Sequence, residues 1–530
     1  MKANYLSILL GLLCAGCVNN PKFVRPDDLP IESYTQESLC DESTIGPAIQ
    51  YGAEIPSQWW ELFRSDKLNQ AIQTALLGSP TLKAAESTLR QAQEQTRAKI
   101  GTLFIPQFDL NASADQYNLR NVSTRRPCLG STLFEPCPNS PLAAKEAAAA
   151  FPGFSIHRLP SVYNLLNTSV QVSYNFDLFG GSRLQAESAR QDVEYQDYEL
   201  KAARLTLIAN VSTTAFTEAA LRAQLEATRK IVALQEARLV IMESQRPLGG
   251  VAEMDLLGQR SQLEQTRARL PSLEYDLETT HSQLAVYLGK FPTDQEVPSF
   301  HLADFSLPNE IPVSIPSLLV RQRPDILAAE AQLRKACAEV GVATANMFPQ
   351  ISLTAGFGPF SLNAAPLISL HTTLLTLGAA LAQPIFHGGE LVAKRKAALA
   401  AYEGSSSNYF NTILQGFKNV GDSLQALRDG SETLRCYESA EKEACSSWTI
   451  TQQQFELGGV NAIAVLDSER QYRELLSTAA QARGTQLSDV AALFQSLGGG
   501  WWSPTSEGLP AEMQLVKAAD PSPNTTLQTP

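Results

Sequence analysis

Among the side chains of this 530-residue chain that could form a covalent bond or hold a metal are eight cysteines and five histidines, and their spacing decides which chemistry they open. The histidines, His157, His281, His301, His371 and His387, stand at no ligand spacing and read as solvated or singly satisfied groups. No H-E-x-x-H, G-x-S-x-G or phosphate-loop sequence occurs, so the chain reads as neither an enzyme nor a binder of a cofactor or metal. Cys436 and Cys445 stand on one expected helix, roughly 13 Å apart along its axis, and cannot bridge each other. Cys128 and Cys137 share a Pro-rich loop and could form a disulfide in an exported protein, while Cys40 and Cys337 have no assigned role.

Cys17 has a different setting. Lys2, an apolar run from Tyr5 to Cys14, and then Ala15 and Gly16 precede it. The run is shorter than the ~20 residues a spanning helix needs, so residues 1–16 read as an export signal. Ala-Gly-Cys at its end resembles the lipobox of bacterial lipoproteins, in which the Cys thiol is acylated before cleavage just ahead of it. Cys14 stands where Leu is usual, and as acceptor it would put bulky Leu12 and Leu13 at the cut, so Cys17 is the expected lipid attachment residue. Two readings stand beside this one: an ordinary signal with an incidental Cys, and a Cys14–Cys17 redox pair, which needs a folded βαβ setting.

These groups require elements to position them. The net charge of −12 and pI near 5.1 give a nucleic-acid partner no electrostatic support. Residues 17–55 are polar and Pro-containing, as in a tether. "SQWWELFRSDKLNQAIQTALLGSP" reads as a first helix with Leu62, Leu68, Ile72, Ala75 and Leu76 on one side. Trp59 and Trp60 in it could mark a membrane boundary or pack that helix.

A unit then occurs twice. Pro80, Leu82, Ala84, Ala85, Glu86, Leu89 and Arg90 correspond to Pro324, Ile326, Ala328, Ala329, Glu330, Leu333 and Arg334, and each helix runs into segments of period 2. Val170, Val172, Tyr174 and Phe176 alternate with Ser169, Gln171, Ser173, Asn175 and Asp177, giving one face for lipid and one for water. Phe108 to Ala114 alternates similarly, as does Ile351 to Phe357, and a weaker strand lies within 368–385. A Pro-rich irregular loop covers 118–164.

Residues 182–246 contain neither Gly nor Pro before Pro247, a helix of ~95 Å, and "LGGV" turns it back with an expected kink at Pro271. After "IFHGGE" a second Pro-free run reaches another "LGGV" at Leu457. Gly180-Gly181 and Gly388-Gly389 ease the strand-to-helix transitions. The expected domains are therefore a signal (1–16), a lipid-anchored tether (17–55), a first repeat (56–298), a second repeat (299–502) and a disordered tail (503–530). A bilayer tolerates only a closed sheet and four strands cannot close, so several chains must share one barrel.

"WWELFRSDKLNQAI", "RQRPDILAAEAQLRKACAEVGVATANMFPQISLTA", "NFDLFGGSRLQAESA", "QPIFHGGELVAKRKAA" and "FELGGVNAIAVLDSERQY" together resemble the TolC-like outer-membrane efflux ducts, in the lipoprotein branch paired with resistance-nodulation-division pumps. The resemblance implies a mixed α and β membrane protein. It would be a homotrimer with a twelve-stranded transmembrane β-barrel, four strands per chain, continued by a long periplasmic α-helical barrel. A periplasmic adaptor protein and an inner-membrane resistance-nodulation-division pump would be its partners, the lipid bilayer its setting, and small-molecule efflux its role. A duct for protein secretion and a periplasmic rod without a pore are the alternatives.

In the resembling ducts the turn of the second hairpin lies innermost, closed partly by polar contacts. Mapped through Gly458 and the "VLD" run, Asp467 keeps an acidic position, whereas Phe455 stands where a Tyr can occur and Ala464 where an Asp can occur. The implied periplasmic gate is Leu457, Gly458, Gly459, Val460, Ile463 and Asp467. Its apolar members would close it, and three Asp467 carboxylates ~8 Å apart would repel by roughly 2 kcal/mol per pair at an effective dielectric near 20, unless Arg470 or Arg473 answers them. On the other reading, Asp467 merely faces solvent.

Overall fold

A computed structural model of the chain describes residues 48–53, 55–118, 162–294, 296–308, 310–313, 316–361 and 373–501. Cys17, Cys128, Cys137, the signal, the tail and most of the 118–164 loop lie outside them. The described residues are mostly helical and form two compact units. Gln95–Ala189 and Ala338–Leu399 contribute to one, and the remaining described residues make the other.

In chain order the elements are β1 (Ala48–Tyr51), α1 (Asp66–Gly78), α2 (Pro80–Phe104), β2 (Gln107–Asn118), β3 (Val162–Phe176) and α3 (Gly181–Gln245). They continue with α4 (Glu253–Arg267), α5 (Arg269–Tyr287), β4 (Glu310–Val313), α6 (Pro316–Gln322) and α7 (Pro324–Ala345). Last come β5 (Gln350–Ser361), β6 (Thr373–Ala382), α8 (Glu390–Glu456) and α9 (Ala462–Ser496). The repeat is visible in this order: helix, two strands, long helix and return helix occur twice.

The four long strands form one antiparallel sheet in the order β2-β3-β5-β6, so the two repeats meet at β3 and β5. The register pairs like with like. Leu110 lies opposite Val170, Val170 opposite Phe357, and Phe357 opposite Leu375, so one face carries apolar side chains across all four strands. Those side chains are not buried: Phe108 is 71% exposed and Leu377 77%. On the other face Asn111 donates to Gln171 at 3.3 Å.

The helical unit has an aqueous-type core. Trp59 stacks on Phe494 at 5.2 Å, and Phe216 meets Phe63 at 4.7 Å and Phe305 at 4.8 Å, edge to face, with Trp59, Phe216 and Phe494 fully buried. Gly484 of α9 lies so close to α3 that a Cβ there would be 2.6 Å from that of Ala220, a contact only glycine permits. α3 spans 65 residues and α8 spans 67, each ~100 Å at 1.5 Å per residue. No described helix is long and apolar enough to cross a membrane.

Three features differ from the sequence reading. The single first helix is instead a 3-10 turn, Trp59–Phe63, closed by Arg64 in the left-handed region, followed by α1 with Ser65 as its N-cap. Leu62 therefore belongs to the turn, and both tryptophans pack into the core. Within residues 17–55, β1 forms a strand that no periodicity points to, paired in parallel with β4, with Gln50 donating to Glu310 at 2.6 Å. The expected kink falls at Ala268, between α4 and α5: Pro271 has no N–H for the carbonyl four residues back.

Candidate functional site

The tips of the two long hairpins are built on one local design. In each, the helix ends with a glycine of positive φ, Gly249 (+75°) and Gly458 (+76°), whose conformation L side chains adopt at a cost. The next glycine closes the turn: the Gly250 N–H donates to the Gln245 carbonyl at 3.0 Å and the Gly459 N–H to the Gln454 carbonyl at 2.8 Å. With the 3.0 Å bonds from Gly249 to Arg246 and from Gly458 to Phe455, these make Schellman ends, satisfying carbonyls that the helices leave open.

The second tip is the better anchored. Asn461 caps α9 by accepting from the Ala464 N–H at 2.9 Å, whereas Ala252, at the start of α4, offers no side-chain acceptor. The fold brings Leu457, Gly458, Gly459 and Val460 together in one turn, with Ile463 on the first turn of α9. Leu457 is 87% exposed, Gly458 and Gly459 are exposed, and Val460 and Ile463 are half-buried. Phe455 is also exposed.

Asp467 lies one helical turn beyond Ile463 and does not stand alone. It accepts from Arg238 of α3, and the Arg470 Nε lies 4.0 Å away. Arg473 turns instead to Glu469 at 3.2 Å and lies over the Tyr472 ring. The Arg238–Asp467 pair ties the first hairpin to the second, with the two side chains 25% and 37% exposed. The sequence reading missed Arg238. Aligning the two tips on Gly249 and Gly458 sets Gly258 against Asp467 and Ser447 against Arg238, so the duplication offers no counterpart that would have pointed to the pair.

Of the other reactive side chains, the Cys337 thiol is buried and the Cys436 thiol lies 3.7 Å from Glu432 on the same helix, while His281 lies 3.4 Å from buried Glu218, which also accepts from Arg222 at 2.6 Å.

A long helical hairpin and a strand pair that each occur twice, the pairs joined in one four-stranded sheet, narrow the family, and comparison with known proteins decides it. The model of the outer membrane efflux protein family matches residues 71–290 and 315–499. The chain is a member of the outer membrane efflux protein family. It is 29% identical over 460 residues to the pyoverdine export outer membrane protein OpmQ of Pseudomonas putida, covering 86% of this chain and 91% of OpmQ. Similarity to the probable outer membrane lipoprotein SilC of Salmonella typhimurium is 28% identity, covering 94% of this chain and 99% of SilC. The CmeC outer membrane channel of Campylobacter jejuni shares the fold with a TM-score of 0.76 at 19% identity, over 94% of this chain and 98% of CmeC. The open-state MtrE outer membrane channel of Neisseria gonorrhoeae matches with a TM-score of 0.72 at 20% identity, over 92% and 99%. This efflux family protein therefore belongs to the outer membrane.

Proposed function

We propose that the chain is one third of a passive trimeric duct that carries small molecules outward from a periplasmic adaptor and an inner-membrane resistance-nodulation-division pump. The observation that carries this reading is the sheet: an apolar face left exposed over four strands, and outer edges on β2 and β6 that pair with nothing among the described residues. Open edges and bare apolar faces are both untenable in isolation. Three copies joined edge to edge remove all the edges and give a twelve-stranded barrel with the apolar face toward lipid.

Within that reading Cys17 is the acylated residue that anchors the tether, residues 17–55, at the membrane. Several acyl chains hold where one binds only marginally. Cys17→Ala abolishes fatty-acid labelling while the barrel still inserts; undiminished labelling would refute the assignment. The two repeats, 56–298 and 299–502, supply equal shares of the barrel and of the helical conduit. The tip residues Leu457, Val460 and Ile463 close the periplasmic end as an apolar constriction. Asp467, held by Arg238, turns toward passing cations once the hairpins part.

The purified protein in planar lipid bilayers tests the duct directly. Discrete conductance steps are expected, and Leu457→Ser with Val460→Ser raises the open fraction. A protein that inserts and never conducts is a rod, not a duct.

A further inference from the structure

Part-way along α3, between the Ala220–Gly484 contact and the Arg238–Asp467 ion pair, α3, α8 and α9 meet on small residues. Ala223 and Ala227 of α3 and Ala479 and Ala480 of α9 line a hollow of about 290 Å³ that no side chain fills. The volume sits at the lower end of the range for small-ligand sites, about 300–1,000 Å³.

Six charged side chains surround this hollow: Glu226 and Lys230 from α3, Glu438 and Glu441 from α8, Arg473 and Arg483 from α9. Three are acidic and three basic. Arg473 is engaged with Glu469. The other five make no ion pair within 4.0 Å among the described residues. Glu226 and Lys230 even have the i,i+4 order that favours pairing on a helix, and the neighbouring Glu218–Arg222 pair at that spacing closes to 2.6 Å. Burial raises the pKa of the Glu441 carboxyl, the charge on Glu438 raises it further, and Arg483 opposes both. Charged groups of both signs thus face one concavity, and apart from Arg473 none of them closes an ion pair among the described residues.

We propose that this hollow binds a small amphoteric solute, with its ammonium group seated between Glu438 and Glu441, its anionic group drawn to Arg483, and its short aliphatic body resting on the four alanines. Glu226, Lys230 and Glu438 are exposed, whereas Glu441 and Arg483 are half-buried, so a ligand of one charge would leave one of these two half-buried charges at the hollow unanswered, at a cost in affinity. The site lies on the helix shafts, away from the tip residues assigned to closure, and it stands whether or not the chain conducts.

Titration calorimetry on the full-length assembled protein in detergent tests it, with 6-aminohexanoate as the probe and hexylamine and hexanoate as its single-charge halves. Saturable binding of 6-aminohexanoate below about 10 mM is expected, with each half at least about tenfold weaker. Glu441→Gln and Arg483→Gln each weaken the probe at least about tenfold, Ala479→Leu fills the hollow and removes binding, and Lys418→Gln, elsewhere on α8, leaves it unchanged. The comparison of the three probes on the unaltered protein needs no variant to fold. No saturable binding, equal binding of a single-charge half, or undiminished binding by the Glu441 and Arg483 variants overturns the proposal.

Discussion

The sheet and the helical core use the same large apolar residue types in opposite ways. Trp59, Phe216 and Phe494 are fully buried among their neighbours, whereas Phe108, Leu110, Leu375 and Leu377 stand out from their sheet with more than half their surface bare. A chain folding in water alone buries such side chains wherever they cluster. The difference teaches that the two regions have different solvents: the core excludes water by packing, while the sheet offers its apolar face to a medium that is itself apolar. On the proposed trimeric reading that medium is the bilayer of the outer membrane.

Substitutions break the comparison in order of size. Phe216→Ala, in the core, costs about 3–5 kcal/mol through the cavity it leaves and shows as early unfolding of helical signal in denaturant. Leu377→Arg, on the exposed face of β6, costs about 2–4 kcal/mol per chain if that face meets lipid at depth, and it depletes heat-resistant oligomers from membranes. Asn111→Lys, on the opposite face of the same sheet, leaves the proposed oligomer intact if that face lines a water-filled lumen. Equal damage from Leu377→Arg and Asn111→Lys would erase the distinction between the faces.

Smaller effects sharpen the account at the hairpin tip. Gly458→Ala forces a β-carbon into the left-handed region at a cost of about 1 kcal/mol, seen as faster proteolysis at the second tip. Arg238→Ala removes an ion pair that is partly open to solvent, worth ~0.5 kcal/mol, and raises the open fraction of the channel about twofold at low salt. High salt shrinks that difference. An unchanged open fraction would show that Arg238 holds the hairpins in shape only.

Much of this architecture was legible in the sequence because it rests on period. Alternation from Ser169 to Asp177 gave β3, and the two "LGGV" turns bounding Pro-free runs gave α3 and α8 almost to the residue. What escaped rests on distant partners or on single dihedrals. β1 is four residues long and precedes both repeats, and its partner β4 lies in the second. "WWELF" has helical composition, yet Arg64 at φ 54° ends it before α1 begins. At the candidate gate, the tip residues could be placed from the turn sequence, but Arg238 reaches Asp467 from another hairpin, a contact that no local pattern encodes.

The intact mass of the protein extracted from membranes into mild detergent tests most directly whether one sheet is a third of a barrel, as proposed. Three chains in every particle are expected, separating only when the strands unfold. A monodisperse single chain that keeps its strand signal would contradict the proposal.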